Sequence, residues 1–142
     1  MDNRYYQDIF KVTEAQLQML TQTALSHGGD YCDLYFEHTT YFNLLLKDGA
    51  VSSGGFHTDF GVGIRVLKGE KTGYAYSENT GMADMTKAAV AASAIASGAG
   101  SAKREYKAVS DGRHDLYPMK ENWRSKSADA FLPFMLELEK KI

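Results

Sequence analysis

The chain has 142 residues, enough for one domain with its own core and too few for two ordinary ones. Its 44% hydrophobic, 24% charged and 12% aromatic composition excludes wholesale disorder, collagen-like repeats and a disulfide scaffold. Sixteen basic against eighteen acidic residues leave a net charge of −2 with no long like-charge run, which argues against nucleic acid as a partner.

The first helix signal is Val12-Thr13-Glu14-Ala15-Gln16-Leu17. Thr13 and Gln16 have the spacing of a capping box, and Val12 and Leu17 that of a hydrophobic staple. Leu17, Leu20 and Ala24 then repeat at helical spacing, and Gly28-Gly29 supplies an exit, so the pattern predicts a helix over about Glu14 to His27. Beyond the glycines the period becomes two. Cys32, Leu34 and Phe36 fall on one face, and Asp33, Tyr35 and Glu37 on the other, as in a half-buried strand. Tyr41 to Lys47 reads as a second strand closed by the turn pair Asp48-Gly49, and Ala50 to about Thr58 as a third. Gly61 to Leu67 and Thr72 to Tyr76, joined by Lys68-Gly69-Glu70, complete an expected meander of about five strands.

Thr80 can cap a second helix in which Met85, Ala88, Ala89, Ala92, Ile95 and Ala96 form one stripe, ending at Gly98. So many alanines let the helix axis lie close to the sheet it covers. Ala99 to about Ser127 is polar and irregular. A last helix presents Phe131, Phe134, Met135, Leu138 and Ile142, with Asp129 as its cap and Pro133 within the first turn, where a missing N–H does no harm. An apolar stripe still running at Ile142 predicts a polypeptide that continues. The expected fold is of the α/β class in its α+β form, helices packed on a mostly antiparallel sheet, in a single domain over residues 1–142.

Cys32 is the only cysteine, which fits a reducing compartment. The N-terminal residues lack the apolar core of a signal peptide, and no run approaches the ~18 apolar residues of a membrane-spanning helix. A cytoplasmic protein without a membrane partner is expected.

The chemistry-bearing residues are sparse. His27, His38, His57 and His114 show no i, i+4 pairing and there is no Cys-x-x-Cys, so no zinc site is spelled out and no metal ligand is expected in this chain. His38 and His57 lie in adjacent strand regions, where a strand histidine is the plainer reading than a ligand pair. Cys32, on the apolar strand face, reads as a small buried hydrophobe because no activating cation or base accompanies it. Gly61-Val62-Gly63 runs along a strand, and Gly98-Ala99-Gly100 follows a helix, so neither glycine pair is placed to cradle a phosphate. Asp30, Asp33 and Glu37 read as a solvated strand face. What remains is Gly61, Gly63 and Gly73 among Arg65, Tyr74 and Tyr76. Two readings of these glycines stand side by side: bulges and tight twist, or a surface over which another chain's backbone passes closely. Arg65 serves either that surface or a carboxylate within the fold.

Gly29-Asp30-Tyr31-Cys32-Asp33-Leu34-Tyr35-Phe36-Glu37, the hairpin Leu46-Lys47-Asp48-Gly49-Ala50-Val51, and Gly61 to Leu67 followed by Lys71 to Ser77 resemble the N-terminal domain of the TldD/PmbA family, once labelled modulators of DNA gyrase and better understood as zinc metalloproteases. The resemblance covers about Glu14 to Ser97, and its wording is closer to the TldD branch than to the PmbA branch, which resembles a non-catalytic partner. It implies an α+β domain of a peptidase that takes unfolded or small peptides inside a closed chamber of two homologous subunits. In the family a His-Glu-x-x-x-His helix and a later cysteine in the C-terminal part hold zinc. Neither His38-Thr39-Thr40 nor His57-Thr58-Asp59 places a glutamate after its histidine, so no catalytic residue carries over. The expectation is a catalytically inert domain that shapes the chamber, docks the partner subunit and guides an extended peptide. A PmbA-like partner subunit and a free-standing peptide-binding scaffold are the alternatives.

Overall fold

Phe10 and Val12 are buried just ahead of the first long helix, on either side of Lys11, whose φ of 56° turns the chain. Phe10 closes a short helix, α1 (Tyr5–Phe10), which the sequence pattern does not announce because six residues are too few to show a helical period. The computed structural model describes residues 5–95, 116, 118 and 120–141.

Thr13 begins α2 (Glu14–Ala24) as its spacing predicts: its hydroxyl accepts from the Gln16 backbone N–H, and its own N–H donates to Gln16 Oε1 at 2.9 Å. The helix ends three residues before the expected His27. Ser26 donates to the Thr23 carbonyl and Gly28 to that of Leu25, tightened turns that unwind the chain before Gly28, with φ of 85°, reverses it.

The expected five strands are three. β1 (Tyr31–Lys47) continues through His38-Thr39-Thr40, and β2 (Ala50–Lys68) through Thr58-Asp59-Phe60, before β3 (Lys71–Ser77). Cross-strand contacts carry the ladder over both supposed breaks. The His38 ring stands edge-on to Phe60 at 5.7 Å, and the Thr40 and Thr58 hydroxyls meet at 3.4 Å. The antiparallel sheet has the order β1-β2-β3, with β2 and β3 in register from Val62 opposite Ser77 to Lys68 opposite Lys71. Asp48 and Gly49 both take positive φ, 51° and 75°, as a tight hairpin turn requires.

α3 (Met82–Ile95) starts at Gly81, not at the expected Thr80 cap: the Gly81 carbonyl accepts from Asp84 and Met85, while the Asn79 side chain accepts the Gly81 N–H at 2.7 Å. Its expected end at Gly98 lies outside the described residues, as do Asp111-Gly112, Tyr117 and Ile142. Near the C-terminus, the stretch expected to be irregular contains a 3-10 turn at Trp123–Ser125, and a second spans Ala128–Ala130. α4 (Leu132–Glu139) carries Pro133 in its first turn as expected, but its N-cap is Phe131; Asp129 sits in the preceding 3-10 turn.

The chain divides into two compact units, residues 1–38 with 59–111 and residues 39–58 with 112–142. In the first, α3 packs on β3 and α2 on α3. Leu17, Leu20 and Ala24 of α2, Val62, Ile64 and Val66 of β2, and Met85, Ala88, Ala89 and Ala92 of α3 form its buried core, with Cys32, Leu34 and Phe36 of β1 against it. Ala88, Ala89 and Ala92 of the predicted stripe therefore do what their size predicts, bringing the helix onto the sheet, while Ala96 lies outside the described residues. The second unit holds the outer part of the β1–β2 hairpin with α4. Phe42 meets Phe56 at 4.9 Å and Phe131 at 5.2 Å, Trp123 lies parallel to Phe56 at 6.1 Å, and the Gly49 N–H donates to Glu139 Oε1 at 2.8 Å. No described residue of this second unit is fully buried.

Candidate functional site

Strict alternation in the first unit sends one set of side chains to the helices and leaves the other on the outer sheet face. On that outer face β1 places Tyr31, Asp33 and Tyr35, β2 places Gly63 and Arg65, and β3 places Tyr74 and Tyr76. The four tyrosines are 51%, 64%, 57% and 69% exposed, so this face is an exposed aromatic surface. At its centre Arg65 grips Asp33 with two prongs, Nε to Oδ1 at 3.1 Å and Nη2 to Oδ2 at 2.5 Å. The hydrogen bonds from Asp33, reinforced by its charge, push the Arg65 guanidinium further toward the protonated form.

Of the six residues singled out in the sequence, Gly63, Arg65, Tyr74 and Tyr76 thus come together. Gly73 is buried opposite Val66, on the side of β3 that, like Ala75, faces the helical layer. Gly61 has φ of 154° and lies under the backbone of Ser77 and Glu78. The nearest neighbours of Gly61 and Gly63 belong to the chain itself: a Cβ on Gly63 would stand 2.6 Å from Tyr74 Oη, so the glycine makes room for the tyrosine to lie over the sheet. Tyr31, Tyr35 and Asp33 belong to the same surface and are missed by sequence reasoning. The alternation over Tyr31 to Glu37 shows their face, but only the strand order brings Asp33 to Arg65.

A second pairing has no local signal at all. His27 Nδ1 lies 2.7 Å from Ser93 Oγ, and the His27 N–H donates to the same oxygen at 3.3 Å. Ser93 is only 1% exposed and sits within α3, so no substrate reaches it; the pair ties the end of α2 to α3. Cys32 is half-buried among core residues, and desolvation, followed by the nearby Asp33 charge, raises its thiol from an ordinary 9.0 to about 11. A thiol that titrates that much later carries about a hundredfold less thiolate at neutral pH. Alkylation of native Cys32 at pH 8 is therefore expected to be at least that much slower than in urea, as followed by iodoacetamide labelling; equal rates would show a solvated thiol. The protonated thiol favoured in the fold also means that stability falls as pH rises from about 9 to about 11.

His38 rests against Phe60, and His57 stacks on Tyr41 at 6.1 Å. Among the described residues no three His, Cys, Asp or Glu side chains converge in a way that could hold a metal ion. No helix among them is long and apolar enough to cross a membrane.

An antiparallel sheet with helices on one face and a tyrosine-lined surface on the other defines a small α+β domain. Residues 32–96, which build nearly all of β1 through α3, match the family described as "PmbA/TldA metallopeptidase domain 1". Over 73 residues the chain is 43% identical to the "Metalloprotease TldD homolog" of Haemophilus influenzae, covering 51% of this chain and 15% of that protein. The proteins of the same description from two Buchnera aphidicola subspecies are 34% identical over 93 residues (Acyrthosiphon pisum; 66% and 19%) and 31% over 90 residues (Schizaphis graminum; 63% and 17%). The family match and these relatives support an N-terminal domain of the TldD/PmbA family in this chain. The chain spans less than a fifth of the length of these relatives. Their description implies a metal in the complete metalloprotease, and the described residues of this chain do not offer a set of side chains that fits one.

Proposed function

We propose that this chain acts as the non-catalytic N-terminal domain of a cytoplasmic TldD-type zinc metalloprotease, forming part of the substrate chamber and of the surface that docks a homologous subunit. The observation that carries this reading is the match of residues 32–96 to the first domain of a metallopeptidase family whose members are more than five times as long as the matched stretch. A zinc peptidase needs ligands fixed around an open coordination position and a carboxylate beside the bound water. The side chains gathered on the outer sheet face are tyrosines around a mutually satisfied Arg65–Asp33 pair, which suits contact with a polypeptide.

The role of that surface is tested with Gly63→Val in the complete metalloprotease. The added side chain displaces the Tyr74 ring from its seat. Turnover of an unfolded peptide or assembly of the subunits is expected to fall while the metal content stays unchanged. Unaltered kinetics and unaltered assembly would remove the surface from the account.

A further inference from the structure

We infer that Asp48-Gly49, the turn of the β1–β2 hairpin, is a site of spontaneous aspartyl isomerisation, and that Glu139 at the end of α4 holds the reaction in check. The chemistry needs no reagent but water. The Gly49 nitrogen attacks Asp48 Cγ, a C–N bond forms, and the carboxyl hydroxyl leaves with the amide proton as water, closing a five-membered succinimide. Hydrolysis adds the water back. Breaking the new bond restores aspartate, and breaking the original peptide bond instead leaves isoaspartate, with the chain running through Cγ. Glycine in the following position favours ring closure because it has no side chain to obstruct the approach.

Asp48 and Gly49 are both exposed, with φ of 51° and 75°, so water reaches the turn. The reacting N–H is nevertheless engaged. It donates to Glu139 Oε1 at 2.8 Å, and Oε2 of the same carboxylate lies 3.9 Å from where a Cβ on Gly49 would stand. Ring closure requires the Gly49 nitrogen to give up its proton and to swing toward Asp48 Cγ by rotation about the Asp48 Cα–C bond. The contact opposes both steps: the negative charge of Glu139 disfavours a second negative charge on the nitrogen, and a charge-assisted hydrogen bond resists the rotation. Glu139 is the last residue of α4, and the other end of that helix has its own anchor, the Phe131 ring 5.2 Å from Phe42. Losing the carboxylate therefore leaves the helix in place and frees the amide. The consequence is structural, because isoaspartate inserts one methylene into the main chain of a two-residue turn, where the register of the facing strands has no slack to absorb it.

The 142-residue chain, its Glu139→Ala and Glu139→Gln variants, and a synthetic peptide with the sequence from Leu45 to Ser52 are incubated side by side at mildly acidic pH. Isoaspartate at Asp48 is followed by peptide mapping, which separates it from any formed at the other Asp-Gly pair, Asp111-Gly112. The peptide is expected to isomerise fastest and the intact chain slowest. Glu139→Ala should isomerise at least about fivefold faster than the intact chain, the scale of a lost hydrogen bond to a charged group. Glu139→Gln keeps an acceptor and the length of the side chain but not the charge, so an intermediate rate is expected, and this variant keeps the test informative if alanine loosens the helix. Equal rates in the intact chain and both variants would overturn the inference. A rate in the intact chain as fast as that of the peptide would overturn it as well, since the turn would then be unguarded.

Discussion

Replacing Gly61 by alanine is expected to destabilise the chain by about 3 kcal/mol, far more than a change of one methyl group ordinarily does at a glycine. Two independent conditions exclude a side chain there. The φ of 154° is one that residues with a Cβ rarely adopt, and the Cβ itself would stand 2.4 Å from the Ser77 carbonyl oxygen and 3.1 Å from Glu78 Cα. Both neighbours are backbone, at the point where β3 ends and the chain turns toward α3, so relief requires moving a strand end. Gly69→Ala is the control. Its φ is 54° but a Cβ would meet nothing within 4 Å, so the conformational strain acts alone and the loss is about 1 kcal/mol. Urea unfolding midpoints of the two variants check this directly. Equal, small losses would mean that β3 yields at Ser77 and that the close approach is not a constraint.

Leu20→Ala is expected to cost about 3 kcal/mol, within the range of roughly 2–5 typical of such truncations. Leu20 has no solvent exposure and belongs to the core cluster with Ile64, Val66, Met85 and Ala89. The alanines that allow α3 to come close cannot re-rotate to fill the space, which keeps the cost well above the lower end of that range. Met19, adjacent in the same helix and 54% exposed, supplies the comparison: Met19→Ala should stay within about 0.5 kcal/mol. A thermal or urea transition in which the two variants behave alike would contradict the packing described for α2.

These elements differ in how far the sequence discloses them. The capping box at Thr13 and Gln16, the alternation from Cys32 to Phe36, the Asp48-Gly49 turn and the alanine face of α3 are local patterns with local causes, and each stands where its spacing puts it. The strand count fails at His38-Thr39-Thr40 and at Asp59, because polar residues look like loops until a partner strand supplies the ring of Phe60 or the hydroxyl of Thr58. The surface around Arg65 is half visible. Tyr74 and Tyr76 can be marked from their glycine-rich setting, but Asp33 lies 32 residues away in sequence and becomes a partner of Arg65 only through the strand order. The His27–Ser93 contact, 66 residues apart, has no periodic signature. Nor can the glycines be told apart from sequence: Gly61 answers to the backbone of Ser77 and Gly63 to the Tyr74 ring.

The family match and the described side chains lead to one chemical expectation, that hydrolysis in a TldD-type enzyme depends on a metal centre built outside this domain. Zinc content and peptidase activity measured together on the purified 142-residue chain test it most directly. After equilibration with zinc and removal of the excess, the chain should retain well under one equivalent and leave an unfolded peptide intact. One equivalent of tightly held zinc, with peptide cleavage abolished by a chelator and restored by adding the metal back, would contradict the account.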